Sequence, residues 1–152
     1  MRFNPSSFRF LFFLLATNSR EISQRWTTAL VNDGWTPISD FFLDNYWKLK
    51  PAIKGPEVLP IVHLLRYKWD QNAPFPAFKT IAKKMGVSST AVRNHARSLE
   101  AKGYLQREMQ VGSTNRFHLS PLFTALEKLQ LVQERQRIDT ELDKLSNRSV
   151  TS

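Results

Sequence analysis

Gly86 lies between two short amphipathic segments and limits how they can be joined. Phe78–Met85 reads as a helix with Ile81, Ala82 and Met85 on its inner side. Ser89–Lys102 reads as a second helix with Val92, Ala96 and Leu99 facing inward, Ser88 as its N-cap and Gly103 at its end. A glycine between them supplies the left-handed backbone that a tight reversal requires. The intervals are specific: Gly86 follows Ala82 by four residues and Val92 comes six later. Ala82 must be small where the helices approach, Gly86 lets the chain turn by roughly 90–120°, and Val92 plugs the second helix into the core.

The flanking elements follow from periodicity. A helix is predicted over Glu57–Asp70, with Val58, Ile61, Val62, Leu65 and Trp69 on one stripe. Pro60 suits it only in the first turn. The loop Gln71–Pro76 is polar and carries two prolines. On the other side, Tyr104–Val111 and Arg116–Leu119 flank Gly112-Ser113-Thr114-Asn115, the pattern of a β-hairpin. Leu105, Met109, Phe117 and Leu119 supply its partly buried faces. Ser120-Pro121 caps a final helix over Leu122–Leu145, and Ser146–Ser152 is expected to be a disordered tail. Leu122, Leu126, Leu129, Ile138, Leu142 and Leu145 recur along that helix at threes and fours, with an interruption near Gln133–Gln136. Such a helix either joins two copies of the chain in a homodimer or packs only its first half on the domain.

Residues 1–36 form an N-terminal extension, helical in part, with Ile22, Trp26, Ala29 and Leu30 at helical spacing and Asn32-Asp33-Gly34 stopping the run. The stretch Phe10–Ala16, behind Arg2 and Arg9, has the outline of a short signal peptide but no clean cleavage site. It falls far short of the about 20 apolar residues that span a bilayer. It is expected to pack on the domain, with a targeting remnant or a mis-assigned start codon as alternatives. Ser39 is a plausible N-cap for a short helix to about Leu49, closed by Pro51 and Gly55-Pro56. Trp26, Trp35, Phe41, Phe42, Tyr46, Trp47 and Trp69 read as core, with Trp35 or Trp47 as an exposed stacking or partner surface as the alternative.

Charge supplies the functional clue. The net charge is +9, and residues 78–118 hold eight Lys/Arg against two Asp/Glu, which is +6 of it. So concentrated an excess points to a polyanionic partner. The order helix, helix, tight turn, helix, hairpin, quoted as PFPAFKTIAKKMGVSSTAVRNHARSLEAKGYLQRE, resembles the winged helix-turn-helix family. His95, three after Val92, stands where that motif usually has an aliphatic. The implied fold is mainly α with a small β-hairpin wing, spanning residues 37–121 with helical extensions on both sides. The implied partner is double-stranded DNA. With Val92, Ala96 and Leu99 inward, the second helix of the motif would present Ser89, Thr90, Arg93, Asn94 and Arg97 to base edges in the major groove. Lys79, Lys83 and Lys84 suit phosphates. Arg107, Ser113, Thr114, Asn115 and Arg116 form the candidate DNA contacts of the wing.

Other chemistry finds little support. With no cysteine there is no disulfide or zinc-thiolate site, which suits a reducing, cytoplasmic location. His63, His95 and His118 are scattered, and Gly-rich phosphate loops, HExxH and GxSxG do not occur. Asp40 and Asp44 read as helix-end charge. Neither a catalytic site nor a metal, cofactor or membrane contact is expected. More narrowly, GWTPISDFFLDNYWKLKP followed by EVLPIVHLLRYKWDQNAPFPAFKTIAKKMGVSSTAVRNHARSLEAKGYL resembles the N-terminal winged helix of DnaD-like and of phage and plasmid replication-initiation proteins. That resemblance implies a role in starting replication and a replication-protein partner, although the second domain common in that family is missing. IAKKMGVSSTAVRNHARSLEAKGYLQRE also resembles GntR- and MarR-like transcriptional regulators, without an effector domain behind it. A protein–protein adaptor that has lost DNA binding is the third reading, against which the +6 stretch argues.

Overall fold

A computed structural model describes residues 22–68, 73, 74 and 76–150, in two compact units, 1–36 and 37–152. The apolar run Phe10–Ala16, Trp69 and the loop residues Gln71, Asn72 and Phe75 lie outside the described residues.

In the first unit α1 (Ile22–Arg25) and α2 (Thr28–Asn32) are single turns, the second capped by Thr27, whose Oγ1 accepts from the Leu30 N–H. Helices this short cannot bury a full apolar stripe. Trp26, Leu30 and Trp35 are accordingly exposed, and with Val31, Gly34 and Thr36 they line an open hollow of about 300 Å³. The expectation that Trp26 and Trp35 are core is therefore corrected.

The second unit begins with α3 (Asp40–Asn45), capped by the predicted Ser39, whose Oγ accepts from the Phe42 N–H. The helix is shorter than expected. It tightens into a 3-10 turn, Tyr46–Lys48, which swings Leu49 and Ile53 into the core and leaves Trp47 exposed, again contrary to expectation. Next, α4 spans Gly55–Arg66. It starts two residues before the expected Glu57, since Gly55-Pro56 form its first positions. Pro60 therefore sits in the second turn, not the first, and removes the hydrogen bond that its N–H would give to the Pro56 carbonyl. The inner stripe is also rotated: Glu57, Pro60, Ile61 and Leu64 are buried, whereas Val58, Val62 and Leu65 are half-buried.

α5 (Phe78–Met85) ends at Gly86, which is left-handed at φ +69° with its N–H on the Ala82 carbonyl. α6 (Ser89–Ala101) opens on Ser88, whose Oγ accepts from the Ala91 N–H at 3.1 Å, and Val92, Ala96 and Leu99 are buried as the spacing requires. β1 (Gln106–Glu108) pairs antiparallel with β2 (Arg116–His118), Arg107 opposite Phe117. The hairpin has a third neighbour, because the Phe117 N–H donates to the Pro74 carbonyl at 2.8 Å. The strands are shorter than predicted. Met109 lies past the last pair and is 76% exposed, not half-buried as expected.

α7 spans Ser120–Val150, past the expected end at Leu145 and through most of the expected tail. At 1.5 Å per residue it is about 46 Å long. Leu122 is buried and Phe123, Ala125, Leu126 and Leu129 half-buried, whereas from Glu134 onward every described side chain is exposed. Ile53, Ile61, Ile81, Val92, Leu99, Phe117 and Leu122 are the most deeply buried side chains and draw α4, α5, α6, the hairpin and α7 into one core. The arrangement is a winged helix-turn-helix, mainly α, with a two-stranded wing.

Candidate nucleic-acid interface

Burial on one side of α6 fixes what the other side displays. With Val92, Ala96 and Leu99 inward, Thr90, Arg93, Asn94 and Arg97 are exposed on the opposite stripe, and Ser89 is half-buried beside the cap. On α5, Ile81 and Ala82 face the core and Lys79, Lys83 and Lys84 face solvent. The turn at Gly86 places these two sets on successive helices of one motif.

The wing residues divide. Ser113, Thr114 and Arg116 are exposed and Asn115 is half-buried. Arg107 is committed elsewhere: its Nε lies 3.2 Å from Glu100 Oε1 on α6, and its guanidinium sits 5.9 Å from the centre of the Phe78 ring. It braces the wing against α6 and does not offer a free charge. Glu108 lies opposite Arg116 in the ladder, and its Oε2 is 3.0 Å from His118 Nε2. The His118 contact, then that of Gln110, holds the Glu108 carboxyl below its ordinary value.

The sequence did not reveal the anchor behind α6. Glu57 is 3% exposed, and its carboxylate takes up three donors: Lys102 Nζ at 2.6 Å, the Lys54 N–H at 2.7 Å and the Ser98 hydroxyl. The contact with the Lys54 N–H is the local half of a capping box and could have been sought from the Lys54–Glu57 spacing. The reach to Ser98 and Lys102, on the far end of α6, has no local signal. Burial pushes the Glu57 carboxyl up, but the hydrogen bonds from Lys102, Lys54 and Ser98 outweigh it and leave it below 4.5. A second missed node is Asn45, 4% exposed, whose Oδ1 accepts from Lys48 and from Gln133 of α7, both at 2.9 Å.

Lys102 and Arg107 are thus paired with carboxylates. The other six cations of residues 78–118 are Lys79, Lys83, Lys84, Arg93, Arg97 and Arg116. All are exposed, and among the described residues none forms an ion pair. Arg66 adds a further positive charge, which acts together with that of Lys84 on His63. His63 Nδ1 is buried without a hydrogen-bond partner. Burial, followed by the charges of Arg66 and Lys84, holds this imidazole below its ordinary 6.5. The folded chain therefore resists a proton that the unfolded chain accepts. The resulting stability is complete above pH 6.5 and is lost as pH falls toward the folded value. His63→Leu is expected to flatten the melting-temperature profile between neutral pH and the folded value. A profile as steep as that of the parent would remove His63 as its source.

No helix among the described residues is long and apolar enough to cross a membrane, and no group of three His, Cys, Asp or Glu among them could hold a metal ion.

A family model and one solved structure agree with this architecture. Residues 57–105 match the family model of a helix-turn-helix domain. The fold is similar to the crystal structure of the N-terminal domain of DnaD protein from Geobacillus kaustophilus, at 20% identity and a TM-score of 0.59, covering 76% of this chain and 96% of that one. A MarR-like transcriptional regulator from Thermotoga maritima aligns at 17% identity over 89% of this chain and 98% of that one, with a TM-score of 0.36. No curated protein matches the sequence.

Proposed function

We propose that this chain binds double-stranded DNA, with α6 in the major groove. Arg93 and Arg97 suit the paired acceptors of guanine, and Asn94 suits the acceptor–donor pair of adenine. Ser89 and Thr90 lie at the start of the same helix, where base edges are reached first. Lys79, Lys83 and Lys84 follow one phosphate strand, and Ser113, Thr114, Asn115 and Arg116 of the wing meet the adjacent backbone. Arg107 supports the wing without contributing free charge.

The observation that carries this reading is the set of six exposed, unpaired cations on consecutive parts of one motif. If each neutralises one phosphate, log K falls with log salt at a slope of about −5. Anisotropy titrations of the full chain on a mixed-sequence duplex, between about 50 and about 200 mM salt, measure it. A flat response removes the DNA reading and leaves a protein–protein adaptor in its place.

The biological setting we infer is the initiation of replication of a bacterial, phage or plasmid replicon, with a replication protein as partner. The FLDNY segment before the motif and the fold shared with the DnaD N-terminal domain support this. Mapping the occupied sites in cells tests it: occupancy at replication origins is expected, and occupancy confined to promoters would favour a transcriptional regulator. The proposed partner of α7 is a second copy of the chain. Leu131, Ile138, Leu142 and Leu145 are exposed at intervals of seven, four and three, which is the seam of a coiled coil. Leu142→Glu is expected to turn a dimer into a monomer in sedimentation without lowering the melting temperature of the core. A parent chain that sediments as a monomer at every concentration sinks the idea.

A further inference from the structure

The tip of the wing is apolar where a hairpin tip is ordinarily polar. Met109 is 76% exposed and Val111 is fully exposed, with half-buried Gln110 between them. They stand beyond the last ladder pair, Glu108 with Arg116, and just before Gly112, whose φ of +73° turns the chain back. The base under them is firmly held. Phe117 is buried, its N–H is fixed to the Pro74 carbonyl, and Arg107 ties β1 to Glu100 of α6. After Gly112 the chain continues through Ser113, Thr114 and Asn115, whose side chains can hydrogen-bond to the phosphates and sugars that border a groove, to the exposed cation Arg116. The one carboxylate of the hairpin, Glu108, contacts His118 and also feels the charge of Arg116, its ladder partner, without forming an ion pair with it.

Two apolar side chains are far too few for a stable protein interface, which takes about 800 Å² from each partner. They match in size the one or two apolar side chains that separate a base step in proteins that kink DNA through the minor groove. The minor groove lies across one phosphate strand from a helix in the major groove, so an element carried at the side of that helix can meet it.

We propose that Met109 and Val111 form a wedge that enters the minor groove of the bound duplex and partly unstacks one base step, with Arg116 held to the phosphate beside it. The wedge rests on the DNA-binding reading above and adds to it a deformation of the DNA. It makes the bound duplex underwound at the contact, and it makes binding tighter where a step is already weak.

The test compares the full chain with its M109S/V111S variant. Both positions are exposed, so the variant is expected to melt at the parent's temperature. A closed circular plasmid is relaxed by a type I topoisomerase under saturating protein, and binding to the same plasmid is followed by gel shift. The parent chain is expected to shift the topoisomer distribution, and the variant to bind while leaving the distribution at that of the protein-free control. On short duplexes the parent is expected to prefer one carrying a mismatch by about tenfold, a preference the variant loses. A parent that binds without shifting topoisomers overturns the wedge and leaves DNA binding intact, as does a variant that shifts them as far as the parent does. A parent that does not bind the plasmid overturns both. A change in the sedimentation mass of the DNA-free protein on M109S/V111S would assign the tip to a protein contact and overturn the wedge.

Discussion

Replacing Glu57 by alanine is expected to lower the unfolding free energy by about 3–5 kcal/mol, the cost of removing one partner from a buried ion pair. The Lys102 ammonium, whose side chain is 15% exposed, would lose the carboxylate 2.6 Å away. The Ser98 hydroxyl and the Lys54 N–H would lose the same acceptor. Because Glu57 belongs to the first turn of α4, and its distant partners Ser98 and Lys102 to the last turn and the C-cap of α6, the loss loosens the end of α6 as well as the start of α4. Urea unfolding of the single variant measures the effect, and a midpoint shift worth less than about 1 kcal/mol would show that Glu57 and its three donors do not hold the fold. The double variant E57Q/K102M separates causes. It leaves no unpaired charge and is expected to recover most of the loss. Acid should act on the same group. The folded carboxyl lies below 4.5, so the unfolded chain takes up the proton first as pH falls. This share of stability is present above 4.5 and disappears as pH drops through the folded value. E57Q should lack that part of the acid transition.

The second large effect concerns recognition. Arg93→Ala and Arg97→Ala are each expected to cost about 1–3 kcal/mol at a selected site, about 5- to 150-fold in affinity, and to relax base preference there. If the two side chains read separate bases, their losses add. Lys83→Gln should behave differently. It weakens binding to every sequence alike and reduces the salt slope by about one. Arg107→Gln should leave the slope almost unchanged, because that charge is already spent on Glu100. Selection from a random duplex pool, repeated with each variant, separates these outcomes. Arginine variants that select the same sites with the same affinity as the parent would mean that α6 does not lie in the groove as proposed.

What could be read from the sequence was local. The left-handed Gly86, the caps Ser39 and Ser88, and the inward trio Val92, Ala96 and Leu99 are each set by neighbours within a few residues, and each stands where spacing placed it. From that trio the exposed face of α6 followed directly. Distant pairings were not legible. Glu57 meets Ser98 and Lys102 across 41 and 45 residues, and the inner stripe of α4 includes this charged side chain, which lies off the stripe that periodicity predicts. Arg107 reads in sequence as a free cation because nothing local announces Glu100 as its partner. Apolar character misled where elements were too short to bury it: Trp26 and Trp35 stand on single-turn helices or beside them, Trp47 on a 3-10 turn, and Met109 beyond the last ladder pair.

The bond from the Phe117 N–H to the Pro74 carbonyl has a consequence for how freely this unit can be altered. A two-stranded hairpin is barely stable alone in water, and here its inner strand leans on the segment that leads into α5. The wing is therefore not a transplantable module. A wing grafted from another chain would have to bring a matching segment between α4 and α5, and an insertion near Pro74 would register as faster amide exchange at Phe117, on the opposite side of the motif in sequence. A change of length in one stretch has to be accommodated by the other, although the two bonded residues are 43 positions apart.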